Sequence, residues 1–359
     1  MVNQPECKRE RSQSKRRPPS TLAGGRFQIH RKLGAGCFGE VYQGVDTLTE
    51  KEVAVKIEDT SHRHYLQLAH ESCILNMLRE PHLPQGFAEN FYFGQEGHHQ
   101  CLVMDLLGKS LEDLVKKCGG SFNATTTALV AEQVLLRIEY CHSKGVVHRD
   151  IKPENFVFGL GKRVHHLYLI DFGLSKLYWD KRHLPMKHKL SLTGTARYAS
   201  INAHKGFEQS RRDDLEAIGH MLMYFLRGKL PWSGLTAKTV DEKYRRILEK
   251  KEQVSLKDLC GGYPSAFLHF LRYARGLGFT ERPDYEMLQR HCKAVRQKEG
   301  VKDDHAFQWF EGHTFTESLE PLVRPRVLQP DAAEEKRTDC RRRAFFCICG
   351  NTSSDREPK

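Results

Sequence analysis

Two short stretches constrain this chain more than any other feature: HRDIKPENF at 148–156 and DFG at 171–173. Asp150 sits between Arg149 and Ile151, with Lys152 two residues on and Asn155 five on, and Asp171 follows Asn155 by sixteen residues. A fold that uses both stretches must carry two loops to one point. There they would gather two carboxylates, an amide oxygen and an ammonium. Asp150 is suited to accept or orient a hydroxyl proton, Asn155 and Asp171 are hard oxygen ligands for a divalent cation, and Lys152 can reach an anion. Singly each stretch is ordinary, because most loop aspartates are solvated or cap a helix and DFG alone reads as a turn. In this order and spacing they point to catalysis.

The upstream chain says which anion. From Arg26 it runs through three strand-like segments, FQIHRKL, EVYQGVD and EVAVKIE, separated by turns. Gly34, Gly36 and Gly39 form GxGxxG within GAGCFGEV. A dinucleotide fingerprint has the same glycines but needs a helix to open there. EVYQGV instead carries the β-branched and aromatic residues of a strand, so the glycines read as a flap over a triphosphate, letting backbone approach phosphate closely. Cys37 at the flap tip reads as an accessible thiol or as a small residue fitting the turn. Lys56 closes VAVK seventeen residues after Gly39, as expected of a strand lysine that pairs with α- and β-phosphates.

Between about Tyr65 and Leu78, an apolar stripe of helical spacing takes in Leu66, Ala69, Cys73 and Met77. Glu71 lies within this helix and is the expected partner of Lys56, with Glu58 and Glu80 read in flanking turns. NFYFGQEGHHQCLVMDLLG reads as a hairpin whose second strand enters a connector. Met104 is expected at the back of an adenine pocket, and Asp105, Leu106 and Leu107 in a hinge whose backbone meets the adenine edge. Leu33, Val41 and Ala54 complete the nucleotide-contacting set. These parts, in this order, resemble the phosphoryl-transfer machinery of protein kinases, which implies ATP and Mg²⁺ as cofactors. Lys152 two residues after Asp150 favours a Ser/Thr over a Tyr enzyme.

Beyond Gly108 the pattern turns helical. SLEDLVKKCG has Ser110 placed to cap with Asp113, and TTTALVAEQVLLRIEYCHSKG reads as a longer amphipathic helix stopped by Gly145. VHHLYLIDFG reads as a strand pair leading to Asp171, with Phe172 and His148 supporting the turn. The segment after DFG is basic: Lys176, Lys181, Arg182, Lys187, Lys189 and Arg197 face only Asp180. It reads as a surface for phosphate or acid or as a solvated face.

GTARYASIN, EQSRRDDLE and LPWSGL, taken with HRDIKPENF and VMDLLGKSLEDL, resemble the casein kinase I family of Ser/Thr protein kinases over about residues 26–312. Where most kinases have Ala-Pro-Glu, this chain has Ala199-Ser200-Ile201-Asn202. It therefore lacks the Glu that pairs with a distant Arg, aligned here with Arg282, and the lower lobe must be tied differently. The resemblance implies that Asp214 holds the catalytic-loop backbone and that substrates are acidic or primed by phosphate three residues before the target. It also implies activity without activation-loop phosphorylation. Arg197 matches the family's phosphate-contacting Arg. Leu190 and Val240 stand where the family has phosphate-binding lysines, and nearby Lys189 and Lys238 are the candidates to replace them.

Composition sets the frame. The chain has 359 residues, 39% hydrophobic and 28% charged, with a formal charge of +12, which suits acidic partners or serves solubility. Its longest apolar-leaning run, Leu215 to Leu226, is broken by Glu216 and His220, well short of a bilayer span. The N-terminus lacks the apolar core of a signal peptide, so a cytoplasmic or nuclear protein is expected, and its eleven cysteines read as thiols. Residues 1–25 read as a disordered basic arm, either a nuclear import signal or a solvated tail. Residues 315–359 read as a tail whose RRRAFFCICG either docks on an anionic membrane through acylated Cys347 and Cys349 or packs back on the lobe; the lone CxC has no second pair for zinc. Ser12, Ser14, Ser353 and Ser354 are candidate autophosphorylation sites.

The expectation is thus an α+β, bilobal protein kinase fold over residues 26–314: a small β-rich lobe to about 104, a hinge at about 105–108 and a mainly helical lobe from 109. Acidic or primed proteins are the expected partners of a monomer, without specific nucleic acid. A catalytically silent scaffold would normally have lost the Lys, the catalytic Asp or the metal Asp, and none is lost. Nucleic-acid binding lacks a stacking pattern or a recognised module.

Overall fold

The computed structural model describes residues 17–36, 39–60, 67–301, 305–311 and 319–323. Cys37, Tyr65, Leu66, the start of the basic arm with Ser12 and Ser14, and the tail with Cys347, Cys349, Ser353 and Ser354 lie outside the described residues.

The N-terminal lobe is one antiparallel sheet. Its strands are β1 (Thr21–Leu22), β2 (Phe27–Gly36), β3 (Gly39–Asp46), β4 (Glu52–Asp59), β5 (Asn90–Glu96) and β6 (His99–Asp105), in the order β1-β2-β3-β4-β6-β5. The two-residue side-chain period gives each face a task. Val53, Val55 and Ile57 of β4 join Phe27, Cys101 and Val103 in a small outer core. Ala54 turns the other way, with Leu102 and Met104, into the main core. The expected hairpin is present as β5 and β6, closed between Glu96 and His99 by Gly97 at φ 60°.

Helix α1 (Gln67–Arg79) lies between β4 and β5 and buries Leu68, Ala69, Glu71, Ile74, Leu75 and Leu78. The stripe expected through Cys73 and Met77 is therefore rotated: both are only half-buried. The inward face follows Glu71 instead, because its carboxylate is needed inside. Glu58 also departs from expectation. It lies in β4, fully buried, and its Oε2 accepts the Leu68 amide at 3.2 Å, a carboxylate set against the first turn of α1.

The helical lobe opens with α2 (Leu111–Lys117), whose Ser110 and Asp113 form the expected capping box. Helix α3 (Ala124–Ser143) is capped by Asn123 and followed by Gly145 at φ 77°. Strand β7 (Val146–Val147) precedes the catalytic loop. Strand β8 (Phe156–Phe158) then pairs with β9 (Leu167–Leu169), and β10 (Lys176–Leu177) with β7. The strand pair read within VHHLYLIDFG is thus corrected: only its middle, Leu167–Leu169, is a strand, and its partner β8 directly follows the catalytic loop.

The remaining helices are α4 (Ile201–His204), α5 (Arg211–Arg227), α6 (Val240–Gln253), α7 (Leu256–Cys260), α8 (Ser265–Gly276) and α9 (Tyr285–Lys298). Helix α5 is buried almost all round, which explains the apolar-leaning run from Leu215. Burying Leu215, Met221 and Phe225 stabilises the lobe by about 2 kcal/mol each. Asp214, Glu216 and His220 are tolerated on the same helix because each is hydrogen-bonded. No helix among the described residues is long and apolar enough to cross a membrane.

Candidate active site

The cleft is assembled from both lobes. On β4, Lys56 Nζ donates to Glu71 Oε1 at 2.7 Å and Oε2 at 2.9 Å, and reaches Asp171 Oδ1 at 3.5 Å. Burial alone would lower the Lys56 pKa, but the two carboxylates outweigh it and hold the ammonium above its ordinary range. Burial pushes Asp171 up, and there the cations win: Lys56 and Lys152 together hold it below the usual carboxylate range. Glu71 goes the other way, pushed up by burial against the pull of Lys56.

Above this pair, β2 and β3 cover a cavity of about 90 Å³ lined by Gly36, Gly39, Val41, Lys56, Glu71 and Asp171. Gly39 is required by geometry. Its φ is 151°, and a Cβ there would stand 2.2 Å from the Ile57 carbonyl oxygen. Gly34 and Gly36 face open space, leaving room for backbone to meet a phosphate. Leu33 is 42% exposed on the flap, while Ala54 and Met104 are buried partners across β4 and β6, and Leu107 is half-buried in the connector.

One histidine joins the two loops. His148 Nε2 donates to the Ile170 carbonyl at 3.1 Å, just before Asp171, and its Nδ1 accepts the Asp150 amide at 3.3 Å. Its ring packs edge-on against Phe172 with centroids 5.1 Å apart, as the sequence led one to expect. Asp214 of α5 fixes the loop backbone, accepting the amides of His148 at 2.8 Å and Arg149 at 2.9 Å. His142 completes the set at 2.9 Å. Burial opposes the charge on Asp214, but these donors prevail and its pKa is lowered. Arg149 and Asp171 both take φ 67°, a left-handed conformation costly for such residues and held here by the surrounding bonds.

Asp150 is buried. Its Oδ2 accepts Lys152 Nζ at 2.5 Å, and its Oδ1 accepts Thr195 Oγ1 at 2.7 Å. Asn155 Nδ2 donates to the Asp150 carbonyl at 2.9 Å, which leaves the amide oxygen as the atom able to meet a cation. Among the described residues no group of three or more His, Cys, Asp or Glu side chains can hold a metal. Asn155 and Asp171 offer two hard oxygens, a donor set that fits an ion that takes few protein oxygens and completes its shell with water and phosphate, as Mg²⁺ does. Thr195 was not singled out in the sequence, because a hydroxyl inside GTARY carries no periodic or charge signal.

Arg197, two residues past Thr195, is exposed, its guanidinium 5.7 Å and 6.0 Å from the Tyr198 and Tyr224 ring centres. Lys189 and Lys238 are also exposed but lie apart, one on the loop bonded to Gly206 and the other just ahead of α6. The tie that replaces Ala-Pro-Glu comes from α5. Glu216 Oε2 accepts the Ile201 amide at 3.3 Å, and its Oε1 accepts Arg275 Nε at 2.9 Å. Arg282 is exposed.

A model of the protein kinase domain family matches residues 27–291, well over half of the chain. That span contains the flap, the Lys56–Glu71 pair, the catalytic loop and Asp171, the parts with which such enzymes use ATP in phosphoryl transfer. The chain belongs to the protein kinase family.

Proposed function

We propose that this protein is a serine/threonine kinase of the casein kinase I type, transferring the γ-phosphoryl group of Mg·ATP to Ser or Thr in acidic or phosphate-primed proteins. The observation that carries the reading is the setting of Asp150 between Lys152 and Thr195, with Arg197 exposed two residues further on. Bound Mg·ATP supplies the transferable phosphoryl group and a metal that offsets its charge.

Within that frame Asp150 orients the substrate hydroxyl and takes its proton, and Thr195 and Lys152 hold the carboxylate in place. Lys152 also faces the transferred phosphoryl group. Lys56, fixed by Glu71, meets the α- and β-phosphates, and Asn155 with Asp171 holds the metal. Because the phosphoryl group brings its own reactivity, this positioning and charge stabilisation is the protein's main contribution.

Activity without activation-loop phosphorylation is supported by bonds already made. Arg149 Nε donates to the Leu174 carbonyl at 2.8 Å, and Lys176 pairs with buried Glu208 at 2.8 Å. Arg197, with Lys189 and Lys238, reads the acidic or phosphorylated flank of the substrate. Paired peptides with and without phosphate at the third residue before the target test this directly. Faster transfer to the phosphorylated member is expected, and equal rates across the set would remove the primed preference.

A further inference from the structure

Four consecutive backbone carbonyls, those of Ala196, Arg197, Tyr198 and Ala199, each accept a hydrogen bond from a side chain of the helical lobe. His204 Nε2 at 3.0 Å and Lys251 Nζ at 2.9 Å serve Ala196. Trp232 Nε1 serves Arg197 at 2.7 Å, and His220 Nδ1 serves Tyr198 at 2.8 Å. Lys251 Nζ also donates to Ala199. The backbone that carries Arg197 and adjoins Thr195 is thereby held on a template of side chains.

Lys251 is the unusual member. It lies in the last turn of α6, with no exposed surface, and its ammonium stands 5.3 Å from the centre of the Trp232 ring. Its bonded partners are carbonyl oxygens, not a carboxylate, and His204 Nε2 lies 3.3 Å away. An apolar side chain would fill the same space without the desolvation cost of a buried amine, which pushes the Lys251 pKa from 10.5 down to about 7. What Lys offers is reach and several donors on one atom, enough to clasp two carbonyls three residues apart.

We propose that Lys251 is a positioning residue for the protein substrate: by clasping the Ala196 and Ala199 carbonyls it sets the segment from which Thr195 meets Asp150 and Arg197 meets the substrate. This rests on the reading of Arg197 given above. In a chain without the Ala-Pro-Glu carboxylate, a lysine from α6 joins Glu216 of α5 in tying this segment to the lobe.

The test is steady-state kinetics of the full chain on two acidic peptides that differ only in phosphate at the third residue before the target, for wild type, Lys251→Met, Trp232→Phe and Arg197→Ala. Lys251→Met keeps length and volume but removes the donors. It is expected to raise peptide KM by about tenfold for both peptides while ATP KM stays within about twofold. Trp232→Phe, which removes the donor to the Arg197 carbonyl together with part of the ring that Lys251 faces, should shift peptide KM in the same direction and so carries the test if Lys251→Met does not fold. Arg197→Ala reports separately on the substrate reading: loss of discrimination between the two peptides supports it, and unchanged discrimination removes it. A lower melting temperature with peptide KM unchanged in Lys251→Met and Trp232→Phe would reduce Lys251 to a structural role and overturn the proposal.

Discussion

At the scale of single residues, the account turns on groups held by more than one bond. Thr195 is the simplest to remove, since it is the side chain that donates to Asp150 Oδ1, while Lys152 and Asn155 donate to Oδ2. Thr195→Ala should lower kcat by about tenfold with ATP KM little changed, whereas Thr195→Ser should retain most activity; steady-state assays at saturating ATP check both. Gly39 and Gly34 make a matched pair. Gly39→Ala forces a Cβ against the Ile57 carbonyl at a φ of 151° and should cost about 1–3 kcal/mol of stability along with weaker ATP binding. Gly34→Ala meets open space and should leave stability within about 0.5 kcal/mol. Urea unfolding and nucleotide titration of the two variants separate a backbone requirement from a ligand requirement.

At the scale of elements, the segment 195–200 and the helices beneath it hold a pH-sensitive contact. The His204 ring faces the Ala196 carbonyl, the Lys251 ammonium and the Tyr244 ring, the last two both on α6. Burial, then Lys251, push its pKa from 6.5 down to about 4, against the bond to Ala196. Across that window the unfolded chain takes up a proton that the folded chain refuses, so stability falls as pH drops from the unfolded value toward the folded one. Between about pH 7.5 and pH 5, wild type should lose roughly 2 kcal/mol more than His204→Gln. An equal loss in both, read from urea midpoints, would show that the ring does not titrate this way. A second test lies at the start of α1, where Glu58→Gln should cost about 1 kcal/mol by weakening the carboxylate set against the first turn.

These same elements show what could be read in advance. The meeting of Lys56, Glu71, Asp150, Asn155 and Asp171 in one cleft was legible because charged and amide groups at those spacings follow the pattern of a phosphoryl-transfer site. The hairpin, the capping box and the stop at Gly145 were legible because turn and cap chemistry is local. Lys251 was hidden, since a lysine in ILEKKEQ looks like any solvated helix lysine, and burial is decided by elements distant in sequence. The rotation of α1 was missed for a related reason: a hydrophobic stripe assumes that apolar residues face inward, whereas this helix must turn Glu71 toward Lys56. Glu58 was misread because a buried carboxylate near a strand end carries no pattern of its own.

At the scale of the whole molecule, a sheet and a helical lobe bring together groups far apart in the chain. Lys56 from the sheet meets Asp171 from the lobe, and His148 ties the Asp171 turn to Asp150. The lobes therefore share one charge network, and the reaction depends on its assembly more than on any lone group. The first measurement to make is phosphate transfer from ATP to casein by the full chain, with Asp150→Asn alongside and nucleotide binding checked for both. Transfer by wild type and a loss of about 10²-fold or more in the variant, with nucleotide still bound, is the expected result. Equal transfer by the two would contradict the role given to Asp150, and a wild type that binds nucleotide but transfers nothing would contradict the catalytic reading itself.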